Sequence, residues 1–144
     1  MAIFLDVAKA FDTVNHSLLL FKLKSYGFST QAVKFFASYL SGRRLYCVFK
    51  SRDLRSETFP IDCGVPQGSF LGPILLLLFI NDLPEVLPLC KIIRFADDVV
   101  IFASHWDLSV LFQNLESTLL TVSDCYLRNL LALNEKKCQY ILFS

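Results

Sequence analysis

Asp97 and Asp98 stand side by side between two short apolar runs, Ile92-Ile93-Arg94-Phe95-Ala96 and Val99-Val100-Ile101-Phe102-Ala103. Apolar and β-branched runs flanking a polar pair predict a β-hairpin with its turn at the aspartates. A tight hairpin turn favours Asn-Gly or Asp-Gly, because its central residues need positive φ. Two carboxylates about 5 Å apart instead repel by roughly 3 kcal/mol at an effective dielectric of about 20. A divalent cation would remove that repulsion and make the pair a hard-oxygen site. Aspartate is also an ordinary turn residue, so the pair alone leaves both readings open.

The elements that must position these acids can be read in order. Met1 to Asp6 reads as a short buried strand ending on an acid. Asn15 or Ser17 can cap a helix running to Tyr26 and stopped at Gly27. Ser29 or Thr30 opens another, with Val33, Phe36 and Leu40 at helical spacing and Gly42 after it. Leu45 to Lys50 and Glu57 to Ile61 read as a strand pair around a basic turn. Gly64-Val65-Pro66-Gln67-Gly68-Ser69 is a loop, followed by an apolar helix from about Gly72 to Leu83 that Pro84 stops. From Asp107 to about Leu131, Leu108, Leu111, Leu115, Leu119, Val122 and Tyr126 recur as the core stripe of a long amphipathic helix. Tyr140 to Phe143 supplies a last strand.

With residues 15–63 set aside as an insertion, the order is β-α-β-β-α-β. That predicts an α+β fold, a ferredoxin-like antiparallel sheet with helices packed on one face. Its first and third strands are neighbours, which brings Asp6 near Asp97 across 91 residues of sequence. Three converging carboxylates suit two divalent ions about 3.5–4 Å apart. Without cations such a group is strongly disfavoured.

Composition limits the alternatives. The 144 residues fit one domain, yet 54% are apolar and only 19% charged, against about 45–50% and about 25% in typical soluble domains. The surface is therefore expected to be covered by partners or by further parts of a larger protein. The longest apolar run, Phe70 to Ile80, has eleven residues including Gly72 and Pro73, short of the about 20 that a spanning helix needs. No basic leader precedes Asp6, so the expectation is an intracellular protein, nuclear or cytoplasmic, with no membrane partner. Five cysteines without C-x-x-C spacing read as reduced, buried apolar side chains. His16 and His105 have no second ligand at metal spacing.

A net charge of +1 gives no global polyelectrolyte signal. Lys34, Arg43, Arg44, Lys50, Arg52 and Arg55 nevertheless fall within 22 residues in which Asp53 is the only acid. Such a cluster is either a solvated face or a phosphate-contacting stripe. Tyr39, Tyr46 and Phe49 interleave with it and could stack on nucleic acid.

With these residues laid out, the chain resembles the palm of a reverse transcriptase of the non-LTR (LINE-type, Jockey-like) retrotransposon family. Phe4-Leu5-Asp6-Val7-Ala8-Lys9-Ala10-Phe11-Asp12-Thr13-Val14-Asn15-His16 is similar to the first palm motif. Gly64 to Pro73, continuing to Phe79-Ile80-Asn81-Asp82-Leu83-Pro84, resembles the second. Phe95-Ala96-Asp97-Asp98 resembles the aromatic-x-Asp-Asp box, and Leu133-Asn134-Glu135-Lys136-Lys137 resembles the fourth motif. Four motifs in order, across nearly the whole chain, are a specific signal.

The resemblance implies an RNA-directed DNA polymerase acting on an RNA template, a DNA primer and dNTPs. Asp6 and Asp97 would hold two Mg²⁺ ions, or Mn²⁺ in their place, with Asp98 assisting and the Val7 carbonyl as a further ligand. Phe11 would lie beneath the sugar and disfavour a 2′-hydroxyl; an ordinary core phenylalanine is the other reading. Gln67, Gly68 and Ser69 would line the nucleotide floor, or serve only as turn and helix cap. Lys137 would protonate pyrophosphate as a general acid, or be a surface lysine. Arg43, Arg44 and Lys50 would meet the nucleic-acid backbone.

In extent, residues 1–144 correspond to a palm with partial fingers elements inserted. The N-terminal part of the fingers, the thumb and the nuclease domain are missing. The isolated chain is therefore expected to be inactive or nearly so, since misplacement by 1 Å can lower a rate about 10²-fold. A catalytically inactive remnant, acting at most as a nucleic-acid or protein-binding module, is the alternative. A group II intron-like reverse transcriptase or an RNA-templated RNA polymerase would share the same palm. Phe70-Leu71-Gly72-Pro73 and Ile80-Asn81-Asp82-Leu83-Pro84 favour the retrotransposon type.

Overall fold

The computed structural model describes residues 1–50, 54–87 and 90–143, so Arg52 and Asp53 of the basic cluster lie outside the described residues. In chain order, β1 (Ala2–Leu5) leads through α1 (Ala10–Thr13) to α2 (His16–Ser25) and α3 (Thr30–Leu40). Four two-residue strands follow: β2 (Arg44–Leu45), β3 (Val48–Phe49), β4 (Leu54–Arg55) and β5 (Phe59–Pro60). Then come α4 (Leu71–Phe79), α5 (Leu83–Val86), β6 (Lys91–Phe95), β7 (Asp98–Phe102), α6 (Leu108–Arg128) and β8 (Gln139–Ile141).

A four-stranded antiparallel sheet, ordered β6-β7-β1-β8, is the centre of the molecule. Side chains alternate across it as the strand period of two requires. Ile3, Leu5, Val99 and Ile101 are buried on one face. Phe4, Ile93, Phe95 and Asp98 are exposed on the other. The buried face joins Leu19, Leu23, Leu75, Leu76, Phe79, Leu111, Leu115 and Tyr126 from the helices in one apolar cluster.

Helix starts follow their caps. Asn15 Oδ1 accepts from Leu18 N at 2.9 Å, Ser29 Oγ from Ala32 N at 3.2 Å and Asp107 Oδ1 from Ser109 N at 2.8 Å, each satisfying an otherwise orphaned donor. α6 spans 21 residues, about 31 Å, and among the described residues no helix is long and apolar enough to cross a membrane.

Besides the hairpin turn, described below, four sequence expectations need correction. Pro84 does not stop the apolar helix: α4 ends at Phe79, and Pro84 lies in the first turn of α5, where its missing N–H is harmless. The basic strand pair is two separate ladders, β2 with β5 and β3 with β4. Leu108 and Leu119 are 53% and 37% exposed, because a 3.6-residue period carries them to the rim of the stripe. Of the cysteines, Cys125 is buried while Cys47 and Cys63 are exposed, all of them free thiols.

Candidate active site

β1 and β7 carry the acids to one end of the sheet. The register Leu5↔Val99 sets Asp6, one step on, against Asp98, the first residue of β7. The hairpin turn is Ala96-Asp97 rather than Asp97-Asp98, with Phe95 paired to Asp98. Ala96 takes φ 53°, a conformation that strains a residue with a Cβ. Asp97 is half-buried and Asp98 exposed. The carboxylates do not gather tightly: among the described residues, no three His, Cys, Asp or Glu side chains lie close enough together to hold a metal ion.

Asp6 is met from the other side by the segment before β8. Val7 bridges Leu133, with Ala8 N donating to Ala132 O and Asn134 N to Asp6 O, both at 2.8 Å. The Val7 carbonyl shares a trans peptide unit with the Ala8 N–H and must point the opposite way, toward the β7 side of β1. The same segment brings Lys137 Nζ to 3.8 Å from Asp6 Oδ2, the lysine side chain being 68% exposed and the aspartate 24%. In chemistry the donor set (carboxylates plus one free-facing carbonyl) fits a hard divalent cation.

The loop at residues 64–69 is fastened to residues 11–16, the segment that follows Asp6 in the chain. Gly64 N donates to Val14 O and Val65 N to Phe11 O, both at 2.7 Å. Gly64 O accepts from His16 Nε2 at 2.7 Å and Arg43 Nη1 at 2.8 Å. Gln67 Nε2 donates to Asp12 Oδ1 at 2.9 Å. Ser69 Oγ donates to Pro66 O at 2.7 Å and accepts from Gly72 N, in the first turn of α4, at 3.0 Å. Gly68 has φ +75° with open space where a Cβ would stand. Phe11 is half-buried against the core.

Of the basic residues, Arg43 is turned inward onto Gly64 O, while Arg44 and Lys50 are exposed. Tyr46 lies under the Arg55 guanidinium at 5.7 Å, and Tyr39 packs against the core. A cleft of about 710 Å³ lined by Ile3, Leu5, Leu115 and Leu133 opens on the helix side of the sheet, away from the face that Phe4 and Asp98 share.

Sequence reading assigned no role to Asp12, His16, Lys22, Asn81, Asp82 or Arg94. Lys22 is buried, with Nζ 2.8 Å from Asp82 Oδ1 and 2.5 Å from Phe79 O. Arg94 Nη2 reaches Asn81 Oδ1 at 3.1 Å. The available signal was a lone charge inside an apolar run, which must find a partner when the run is buried.

The profile of the family described as "Reverse transcriptase (RNA-dependent DNA polymerase)" matches residues 1–142. The RNA-directed DNA polymerase from mobile element jockey of Drosophila funebris is 31% identical over 148 residues, covering 98% of this chain and 16% of the relative. Its Drosophila melanogaster counterpart is 37% identical over 108 residues, covering 75% and 11%. The chain thus spans about a sixth or less of the length of these relatives. Among solved structures, apo telomerase from Candida tropicalis, truncated from its C-terminal domain, superposes with a TM-score of 0.66 at 16% identity, over 97% of this chain and 30% of that one. The chain belongs to the reverse transcriptase (RNA-dependent DNA polymerase) family and is similar to its non-LTR retrotransposon members.

Proposed function

We propose that residues 1–144 are the palm part of an RNA-directed DNA polymerase that extends a DNA primer with dNTPs on an RNA template. On this reading the β6-β7-β1-β8 sheet is a ferredoxin-like palm core, residues 15–63 are inserted fingers elements, and the remaining fingers and the thumb are separate from this segment. The observation that carries the proposal is the β1–β7 register, which runs Asp6 and Asp98 off the same end of the sheet.

Asp6, Asp97 and Asp98, with the Val7 carbonyl, would hold two Mg²⁺ ions, for which Mn²⁺ may substitute. When bound, such ions lower the pKa of the primer 3′-hydroxyl and neutralise charge developing on the triphosphate. The protein's own share is positioning. Phe11, held by the Val65 N bond to its carbonyl, would sit under the sugar and exclude a 2′-hydroxyl. Gln67, fixed on Asp12, would with Gly68 and Ser69 floor the nucleotide site; the open space over Gly68 leaves room for it. Lys137, tethered near Asp6, would pass a proton to the leaving pyrophosphate. Arg44 and Lys50, exposed on the ribbon, would meet backbone phosphates, and Arg43 would fix the ribbon's base.

Primer extension in Mg²⁺ or Mn²⁺ on an RNA template tests the reading, using the protein from its complete open reading frame. Asp97→Ala is expected to abolish synthesis, a loss of about 10³-fold or more, because several kcal/mol of charge stabilisation depend on its ligand. Template binding without synthesis in the wild type would leave a nucleic-acid-binding module. A preference for ribonucleotides would make it a different palm enzyme.

A further inference from the structure

The hairpin that carries Asp97 and Asp98 lies at the edge of the sheet, with β6 paired on one side only. Among the described residues, Arg94 makes the only side-chain hydrogen bonds that leave residues 91–102. Its Nη1 donates to Ile80 O and its Nη2 to Asn81 Oδ1, both at 3.1 Å. Ile80 O lies at the C-terminal end of α4, where a cation also complements the helix dipole. The next carbonyl back, Phe79 O, is taken by Lys22 Nζ at 2.5 Å.

The acceptor side is itself immobilised. Asp82, next to Asn81, receives Lys22 Nζ from α2 at 2.8 Å and Asn129 Nδ2, beyond the end of α6, at 3.2 Å. Arg94 therefore fastens the hairpin to a point held from two other helices. The opposite end of α4, about 14 Å away for nine residues, is joined to the preceding Gly68-Ser69 loop by the Gly72 N bond to Ser69 Oγ. α4 thus acts as a strut with the loop at one end and the aspartate hairpin at the other.

We infer that Arg94 and Asn81 are positioning residues that set the Asp97–Asp98 hairpin against the nucleotide loop through α4. The inference rests on the polymerase reading for its functional part and on the hydrogen bonds for its structural part. Asn81 Oδ1 and Ile80 O lie so that one planar guanidinium spans both. A lysine ammonium keeps the charge and reaches one of them.

The test compares Arg94→Met, Arg94→Lys, Asn81→Leu and the Arg94→Met/Asn81→Leu pair in the protein from its complete reading frame. Two readouts are needed: amide hydrogen exchange, and single-nucleotide extension with kcat and KM separated. Arg94→Met is expected to speed exchange of the residue 96–100 amides at least about tenfold while the α6 amides stay unchanged. It should lower kcat about 10–10²-fold with primer–template affinity unchanged. Arg94→Lys should recover part of both, and the pair should be no worse than Arg94→Met alone. Unchanged hairpin exchange in Arg94→Met, or a kcat that falls only with the folded fraction, overturns the inference. If the wild type extends no primer, the polymerase reading has failed, and exchange alone then decides whether Arg94 holds the hairpin.

Discussion

Residues 64–72 and residues 44–60 are near neighbours in the chain and are held in opposite ways. The first segment spends its polar groups on the rest of the protein: on Val14, Phe11, Asp12, His16 and Arg43. Among its described residues, the second forms four two-residue strands, every one exposed. It leaves Leu45, Phe49, Leu54 and Phe59 more than half accessible. A two-stranded ribbon is marginally stable in water on its own. The loop is thus held in place by the rest of the protein, whereas the ribbon leaves apolar and basic side chains exposed to solvent.

Substituting within the loop should break this contrast most severely. At Gly64, φ is +79° and a Cβ would stand 2.8 Å from Asp12 O and 2.9 Å from Asp12 Cα. Both are backbone atoms with nowhere to move. Conformational strain of about 1–2 kcal/mol adds to overpacking of about 1–3 kcal/mol. Gly64→Ala should therefore lower stability by about 3 kcal/mol in urea unfolding. Gly68→Ala, with similar φ and open space, should lose only the strain. Equal losses at the two sites would mean that the loop gives way and is not preorganised.

How much of this was legible in the sequence follows the same division. The hairpin and α6 declared themselves through apolar runs, periodicity and caps, which are local signals, whereas the sheet neighbours followed from the order of the elements. Asp97 and Asp98 were visible as a pair because two acids between apolar runs are costly there. The one-residue shift of the turn was not visible, since it depends on Ala96 accepting positive φ, against its own preference. The break between Phe79 and Leu83 was hidden for another reason. Lys22 and Arg94 take up the carbonyls at the end of α4, and both arrive from distant parts of the chain. The ribbon's division into two ladders left no sequence signal, because its strands are two residues long and bury nothing.

A smaller effect separates the basic residues from one another. Arg43→Ala removes a charge-assisted bond from Gly64 O and should lower stability by about 1.5–3 kcal/mol. Arg44→Ala with Lys50→Ala touches only exposed positions and should leave stability within about 0.5 kcal/mol. If these two meet phosphates, the double variant should reduce the slope of log affinity against log salt by about 2. Paired thermal melts and salt titrations would separate anchor from arm. A salt slope that does not change would remove Arg44 and Lys50 from the nucleic-acid interface.

The apolar core differs from the loop in a finer way. The Tyr26 and Tyr126 hydroxyls are buried and, among the described residues, have no hydrogen-bond partner. An unsatisfied buried hydroxyl is a net liability, so Tyr126→Phe should be neutral or stabilising by about 1 kcal/mol at pH 7. Burial, with Cys125 adding to it, also pushes the Tyr126 hydroxyl well above its ordinary range. An unfolded tyrosine ionises near pH 10, below the folded group. Above that pH the unfolded chain holds fewer protons at this residue than the folded one, and stability falls as pH rises. The phenylalanine variant escapes that share of the loss. Its advantage over the wild type should therefore widen above about pH 10, by at most about 1.4 kcal/mol per pH unit. Urea midpoints at pH 7, 10 and 11 measure the widening. A constant gap would mean that Tyr126 ionises as readily folded as unfolded.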